Sequence, residues 1–168
     1  MIRWSYYPNN FRVPEHLKAL VNAFEEEEKF ISSDFLQLKS NEVLVCLSKK
    51  LEKLEFDVEK SKRKNDIIRI PVLFGECGKE ILSFEVDAYN YQTKTVLEVE
   101  AGRAYTNHQF LKDFFEACMM MDVDYFCVAV RNDYRGHKDY EAVCSFFEAL
   151  HASNRLMLPL KGIMVIGY

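Results

Sequence analysis

FEVDAYNYQTKTVLEVEAGR, residues 84–103, is the stretch on which the reading of the whole chain turns. It reads as two strands joined by a polar turn and alternates with period two, so Glu85 and Asp87 point to one face while Phe84 and Val86 point to the other. The second strand repeats the pattern. Val96, Glu98 and Glu100 share one face, and Leu97, Val99 and Ala101 share an opposite face apolar enough to lie on a core. If the strands pair, the four carboxylates gather on one patch. Like charges that close raise one another's pKa unless a cation sits among them, so the patch calls for a divalent metal or a strongly basic partner.

Working outward, the 168 residues are long enough to bury a core and are expected to form a single domain, 1–168. A hydrophobic fraction of 49% with 14% aromatics belongs to a folded globular chain and argues against long disorder. The net charge of −4 argues against a protein that coats nucleic acid by bulk electrostatics and leaves room for a local basic groove. Cys46, Cys77, Cys118, Cys127 and Cys144 are odd in number, widely spaced and without a CxxC, the pattern of reduced thiols in a cytoplasmic protein. No segment reaches the roughly 20 apolar residues of a membrane span, and the N-terminus lacks the apolar run of a signal peptide.

The element pattern follows from hydrophobic spacing. Residues 1–13 read as an irregular arm, and Pro14 opens a first helix carrying Leu17, Leu20, Val21 and Phe24 into the glutamate run at 25–28, a solvated face. Ser40 and Asn41 cap a second helix with Leu44, Leu47, Leu51 and Leu54 as its stripe. Glu42, in its first turn, either favours the helix dipole or serves as an accessory acid. Two strands, around Phe56–Val58 and residues 67–74, form a hairpin around the basic run Lys60, Lys62, Arg63 and Lys64, which is either a solvated hairpin tip or a place where a phosphate backbone binds. After a turn at 75–78 and the central hairpin come a third helix at 107–121, the buried strand YFCVAV at 125–130, a fourth helix at 138–151 and a last strand at 164–166.

Helix, three strands, helix, strand, with Val86-Asp87 on one long strand and Glu98-Val99-Glu100 on the next, resembles the PD-(D/E)XK, restriction-endonuclease-like nuclease superfamily. The resemblance covers residues 40–132. It implies an α/β fold with a central mixed sheet flanked by helices, an αβββαβ core extended by N-terminal and C-terminal helices. Asp87 and Glu98 match the family's two acids, and Glu100 stands where lysine is usual, similar to the variant in type II restriction enzymes of the Bam/Bgl kind. Val86 replaces the proline that names the motif.

The function implied is a Mg²⁺- or Mn²⁺-dependent endonuclease that hydrolyses DNA by in-line attack of water. Asp87, Glu98 and the Val99 backbone carbonyl would hold the metal, and Glu100 would act as a general base or complete a second metal site. Arg103 is the nearest side chain able to grip a phosphate bidentately or else forms a salt bridge with one of the clustered acids, His108 is either a substrate contact or a surface residue at a helix start, and Lys62 and Arg63 are further candidates for substrate contact. RNA as substrate, as for a nuclease toxin, fits the same residues, and a homodimer would let two sites address two strands. The competing readings are a nuclease-fold binding module that has lost catalysis, for which the missing lysine and acidic charge argue, and, more remotely, a Ca²⁺-binding interaction domain.

Overall fold

Strands and helices follow the hydrophobic periods in the computed structural model, which describes residues 1–61, 63, 66–102, 104 and 108–168. In chain order they are β1 (Arg3–Tyr7), α1 (Glu15–Ile31), α2 (Ser40–Lys53), β2 (Asp57–Val58), β3 (Ile68–Phe74) and β4 (Glu80–Val86), then β5 (Ala88–Asn90), β6 (Thr95–Glu100), α3 (Gln109–Met119), β7 (Tyr125–Val130), α4 (Asp139–Ser153) and β8 (Gly162–Gly167). The protein is α/β. Its main sheet has six strands in the order β1-β8-β7-β6-β5-β2, and β3 and β4 form a separate two-stranded hairpin.

The sheet is mixed for a topological reason. Parallel neighbours need a crossover of a dozen or more residues, and α3 carries the chain from β6 to its parallel partner β7, as α4 does from β7 to β8. The outer pairs β1–β8, β5–β6 and β2–β5 are antiparallel. The central parallel strands are covered on both faces, which is why β7 and β8 read as unbroken apolar runs. Cys127, Ala129, Met164 and Ile166 pack toward the Leu17, Phe24, Leu47 and Leu51 side chains of α1 and α2. Phe126, Val128, Ile163 and Val165 pack the other way, against Phe110 and Phe114 of α3 and Val143 and Phe147 of α4.

Three expectations are corrected. Residues 1–13 are not all irregular: β1 pairs antiparallel with β8, from Arg3 opposite Gly167 to Tyr7 opposite Ile163. Its polar look hid the period, because Ile2 and Tyr6 reach one core and Tyr7 the other, while Ser5 binds the Tyr140 hydroxyl at 2.9 Å. The strands on either side of the basic run do not pair with each other, since β2 pairs with β5 and β3 with β4. The first strand of the central hairpin is also broken. Asp87 forms a bend that hands the chain from β4 to β5, so the pairing of Ala88 with Leu97 and of Asn90 with Thr95 belongs to β5 alone.

All five cysteines are free thiols, Cys127 deep in the core and Cys77 exposed in the turn between β3 and β4. Among the described residues no helix is long and apolar enough to cross a membrane.

Phe147 is the hub of the α3–α4 face. It is 0% exposed and its ring lies 5.2–6.0 Å from those of Phe114, Phe146, Phe110 and Tyr7. Phe147→Ala is expected to cost about 3–5 kcal/mol, read from urea unfolding. A loss below about 1 kcal/mol would show that this face is not the packed core described.

Candidate active site

The site begins where β6 stops being buried on both faces. Leu97 and Val99 point to the α1–α2 core, and Val96 to the α3–α4 core, as strand alternation requires. Glu98 and Glu100 share the face of Val96 but lie at the end of the strand where the apolar face of α3 no longer covers it, and both are partly exposed. Opposite them is the other side of α3. Gln109, Lys112, Asp113 and Glu116 recur at helical spacing, so one stripe of the helix is polar while Phe110, Phe114 and Ala117 are buried.

Asp87 completes the floor from the bend between β4 and β5. Its Oδ2 accepts the backbone N–H of Val99 at 2.9 Å, and its own carbonyl accepts the Glu59 N–H at 2.8 Å. The carboxylate is thereby fixed on the backbone between the two glutamates of β6. The result is a cleft of about 240 Å³ with Asp87, Glu98, Val99 and Glu100 on the sheet side and Lys112 and Asp113 on the helix side. Lys112 Nζ stands 3.1 Å from Glu116 and 3.5 Å from Asp113.

So many acids in one cleft perturb one another. Burial, then the charges of Asp87, Asp113 and Glu100, raises Glu98 well above the ordinary carboxyl range. Glu100 is pushed up to about 8 by burial and by Asp113 and Asp87, and burial also raises Asp113. Burial works against the ammonium of Lys112, but Glu116 and Asp113 outweigh it and hold its pKa up, so the group stays charged. Among the described residues no set of three or more His, Cys, Asp or Glu side chains is arranged to hold a metal ion. A small hard cation that keeps several waters needs only one or two carboxylates, and Asp87 with Glu98 offers that donor set.

The structure thus brings together Asp87, Glu98, Val99 and Glu100, as the sequence indicates. Other candidates fall elsewhere. Glu42 does not line the cleft: its Oε2 accepts the Lys39 N–H at 2.7 Å and closes the first turn of α2. Glu85 lies at the rim and pairs with Arg69 at 3.1 Å. His108 is exposed at the start of α3 with a left-handed φ of 54°, and Gln109 beside it lines the cleft instead. Arg63 is exposed in the loop before β3 and is not a lining residue. Arg103 and Lys62 lie outside the described residues.

Lys112 and Asp113 were not among the residues that sequence reasoning selected. Their signal was present, as a polar stripe of Gln109, Lys112, Asp113 and Glu116 opposite the apolar one, but such a stripe has the same spacing as a solvated helix face. No protein-family model matches the chain, and no curated protein matches it.

The acid cluster makes a pH prediction for the cation-free protein. Glu100 has a folded-state pKa of about 8 against an ordinary 4.5, so between those values the folded chain keeps a proton that the unfolded chain has released. Stability must then fall as pH rises through that window and level off above it. Thermal unfolding in chelator from pH 5 to 8 should show this decline, and Glu100→Gln should reduce it. An unchanged slope in that variant would contradict the assignment.

Proposed function

We propose that this protein is a divalent-cation-dependent phosphodiester hydrolase, a DNA endonuclease built on a restriction-endonuclease-like core. The observation that carries the reading is the Asp87 carboxylate docked on the Val99 N–H between Glu98 and Glu100, facing Lys112 across the cleft. The order α2, β-hairpin, Asp87, β6 with its Glu-x-Glu, α3 and β7 supports the finer fold.

Asp87, Glu98 and the Val99 carbonyl are the residues that would hold Mg²⁺ or Mn²⁺. A cation there supplies Lewis acidity toward a phosphodiester and eases ionisation of a nearby water. The chain's own residues do the rest. Asp87 is pre-oriented by a backbone hydrogen bond. Lys112, tethered by Glu116 and Asp113 and kept charged, draws the scissile phosphate toward the carboxylates and offsets charge that builds on it in the transition state. Water attacks phosphorus in line, the P–O bond to the leaving oxygen breaks, one proton of the attacking water passes to solvent, and the leaving oxygen takes up a proton from solvent to depart as the alcohol. Lys112 also weakens the case for an inactive binding module, because a cationic group does face the acids although position 100 holds none.

The test is nicking of supercoiled plasmid in Mg²⁺ or Mn²⁺, with single-stranded RNA assayed in parallel. Wild-type protein should cut DNA, Asp87→Ala combined with Glu98→Ala should abolish cutting, and Lys112→Ala should slow it by roughly 10²–10³-fold. Inertness of the wild type toward DNA in both cations would sink the proposal, and cleavage confined to RNA would reassign the substrate.

A further inference from the structure

Past the end of β7 the chain carries three basic side chains within four residues, Arg135, His137 and Lys138, and all three are exposed. They sit on a fixed support. The Tyr134 N–H donates to the His137 carbonyl at 2.8 Å and the His137 N–H donates back to the Tyr134 carbonyl at 3.0 Å, while Arg135 and Gly136 between them have φ of 55° and 83°. This is a two-residue turn of type I′, a form that favours Asn or Asp followed by Gly. Arginine at its first central position strains the backbone where asparagine would not, and what it adds is a positive charge at the tip. Asp133 does not answer that charge through its Oδ1, which accepts the Gly136 N–H at 2.8 Å.

The turn lies beside the acid cleft. The Tyr134 ring packs on Gly102 so closely that a Cβ there would stand 2.5 Å from a ring carbon, and Gly102 is two residues beyond Glu100. The Arg135 guanidinium stands over the same ring, 5.3 Å from its centroid. Among the described residues Arg135, His137 and Lys138 make no ion pair, for Glu141 is paired with Arg3 at 2.6 Å and Asp139 is 0% exposed. In a chain of net charge −4, this is positive charge held at the surface without a partner.

We propose that the turn from Tyr134 to Lys138 is a nucleic-acid backbone contact, with Arg135 and Lys138 holding phosphates that flank the one in the cleft. This rests on the phosphodiesterase reading for the identity of the ligand and adds the surface along which that ligand lies. Gly102 is separated from Glu100 by roughly 7 Å of chain at most, and duplex DNA carries a phosphate charge for roughly every 1.7 Å of its axis. A strand with one phosphate beside Lys112 brings others to the turn. The attraction that the molecule as a whole denies to nucleic acid is then supplied locally, at one end of the cleft.

Fluorescence anisotropy of a labelled DNA duplex, titrated with cation-free protein at several salt concentrations, tests the turn. Wild-type protein should bind with a salt-dependent affinity, and Arg135→Gln and Lys138→Gln should each flatten the slope of log K against log salt by about 1. Arg135→Lys should keep the wild-type slope. Both residues are exposed, so the melting temperature should stay that of the wild type in every variant. Wild-type slopes in both glutamine variants, or no duplex binding by the wild type at low salt, would overturn the contact. Plasmid nicking judges the cleft separately. A wild type that nicks, matched by both glutamine variants in binding and nicking, would sink the turn and leave the cleft. Binding that the glutamine variants weaken, in a protein that does not nick, would keep the turn and sink the cleft's chemistry.

Discussion

β6 is covered on both faces at its start, over Thr95 to Leu97, and that constraint decides where its charged residues can go. A strand in this position must alternate between two cores, and Leu97 and Val99 on one side and Val96 on the other obey. Glu98 and Glu100 are tolerated because the opposing helix presents its polar stripe at that end of the strand. The core therefore ends and the cleft begins within two residues on one strand. The bend at Asp87 is part of the same arrangement. By leaving β4 for β5 at that point, the chain frees a carboxylate to bind the Val99 N–H, and one hydrogen bond fixes a third acid against the two on β6.

The parts of this arrangement that were legible in the sequence are those with a strong period. The alternation of β6, the apolar run of β7, the stripes of α1 to α4 and the face shared by Glu98 and Glu100 all follow from spacing. What could not be read depends on contacts between distant segments. β1 is a strand because β8 offers it an edge, and RWSYY has no local pattern that announces this. The separation of β3 and β4 from the main sheet depends on the bend at Asp87, which a period-two pattern runs straight through. Lys112 and Asp113 were hidden because a helical stripe of polar residues looks the same whether it faces water or a cleft.

The acidity of the chain takes on a specific meaning in this light. A net charge of −4 is a poor fit for a protein that attracts nucleic acid at long range, but several of the acids, Asp87, Glu98, Glu100 and Asp113 among them, line a single cleft. The cation-free cleft is held at a cost, with Glu98, Glu100 and Asp113 all forced away from their ordinary ionisation. Perturbed ionisation of this kind clusters at functional sites, and a positive charge brought among the acids would relieve it by the same electrostatics that create it.

The glutamate at position 100 and the lysine at position 112 are best understood as one choice. A lysine on β6 at position 100 would point toward the helix wall where Lys112 already stands, and the two ammonium groups would repel while Asp113 and Glu116 tried to pair with both. With Glu100 on the strand, the cationic group comes from α3 instead and reaches the cleft from the opposite side. The sheet then carries only acids and the helix carries the counter-charge. Under the proposed function, a phosphate entering between them would meet the positive group from the helix wall and a cation from the sheet floor, so the two kinds of positive charge would approach it from different directions. That separation is what a single strand bearing both an acid pair and a lysine could not provide.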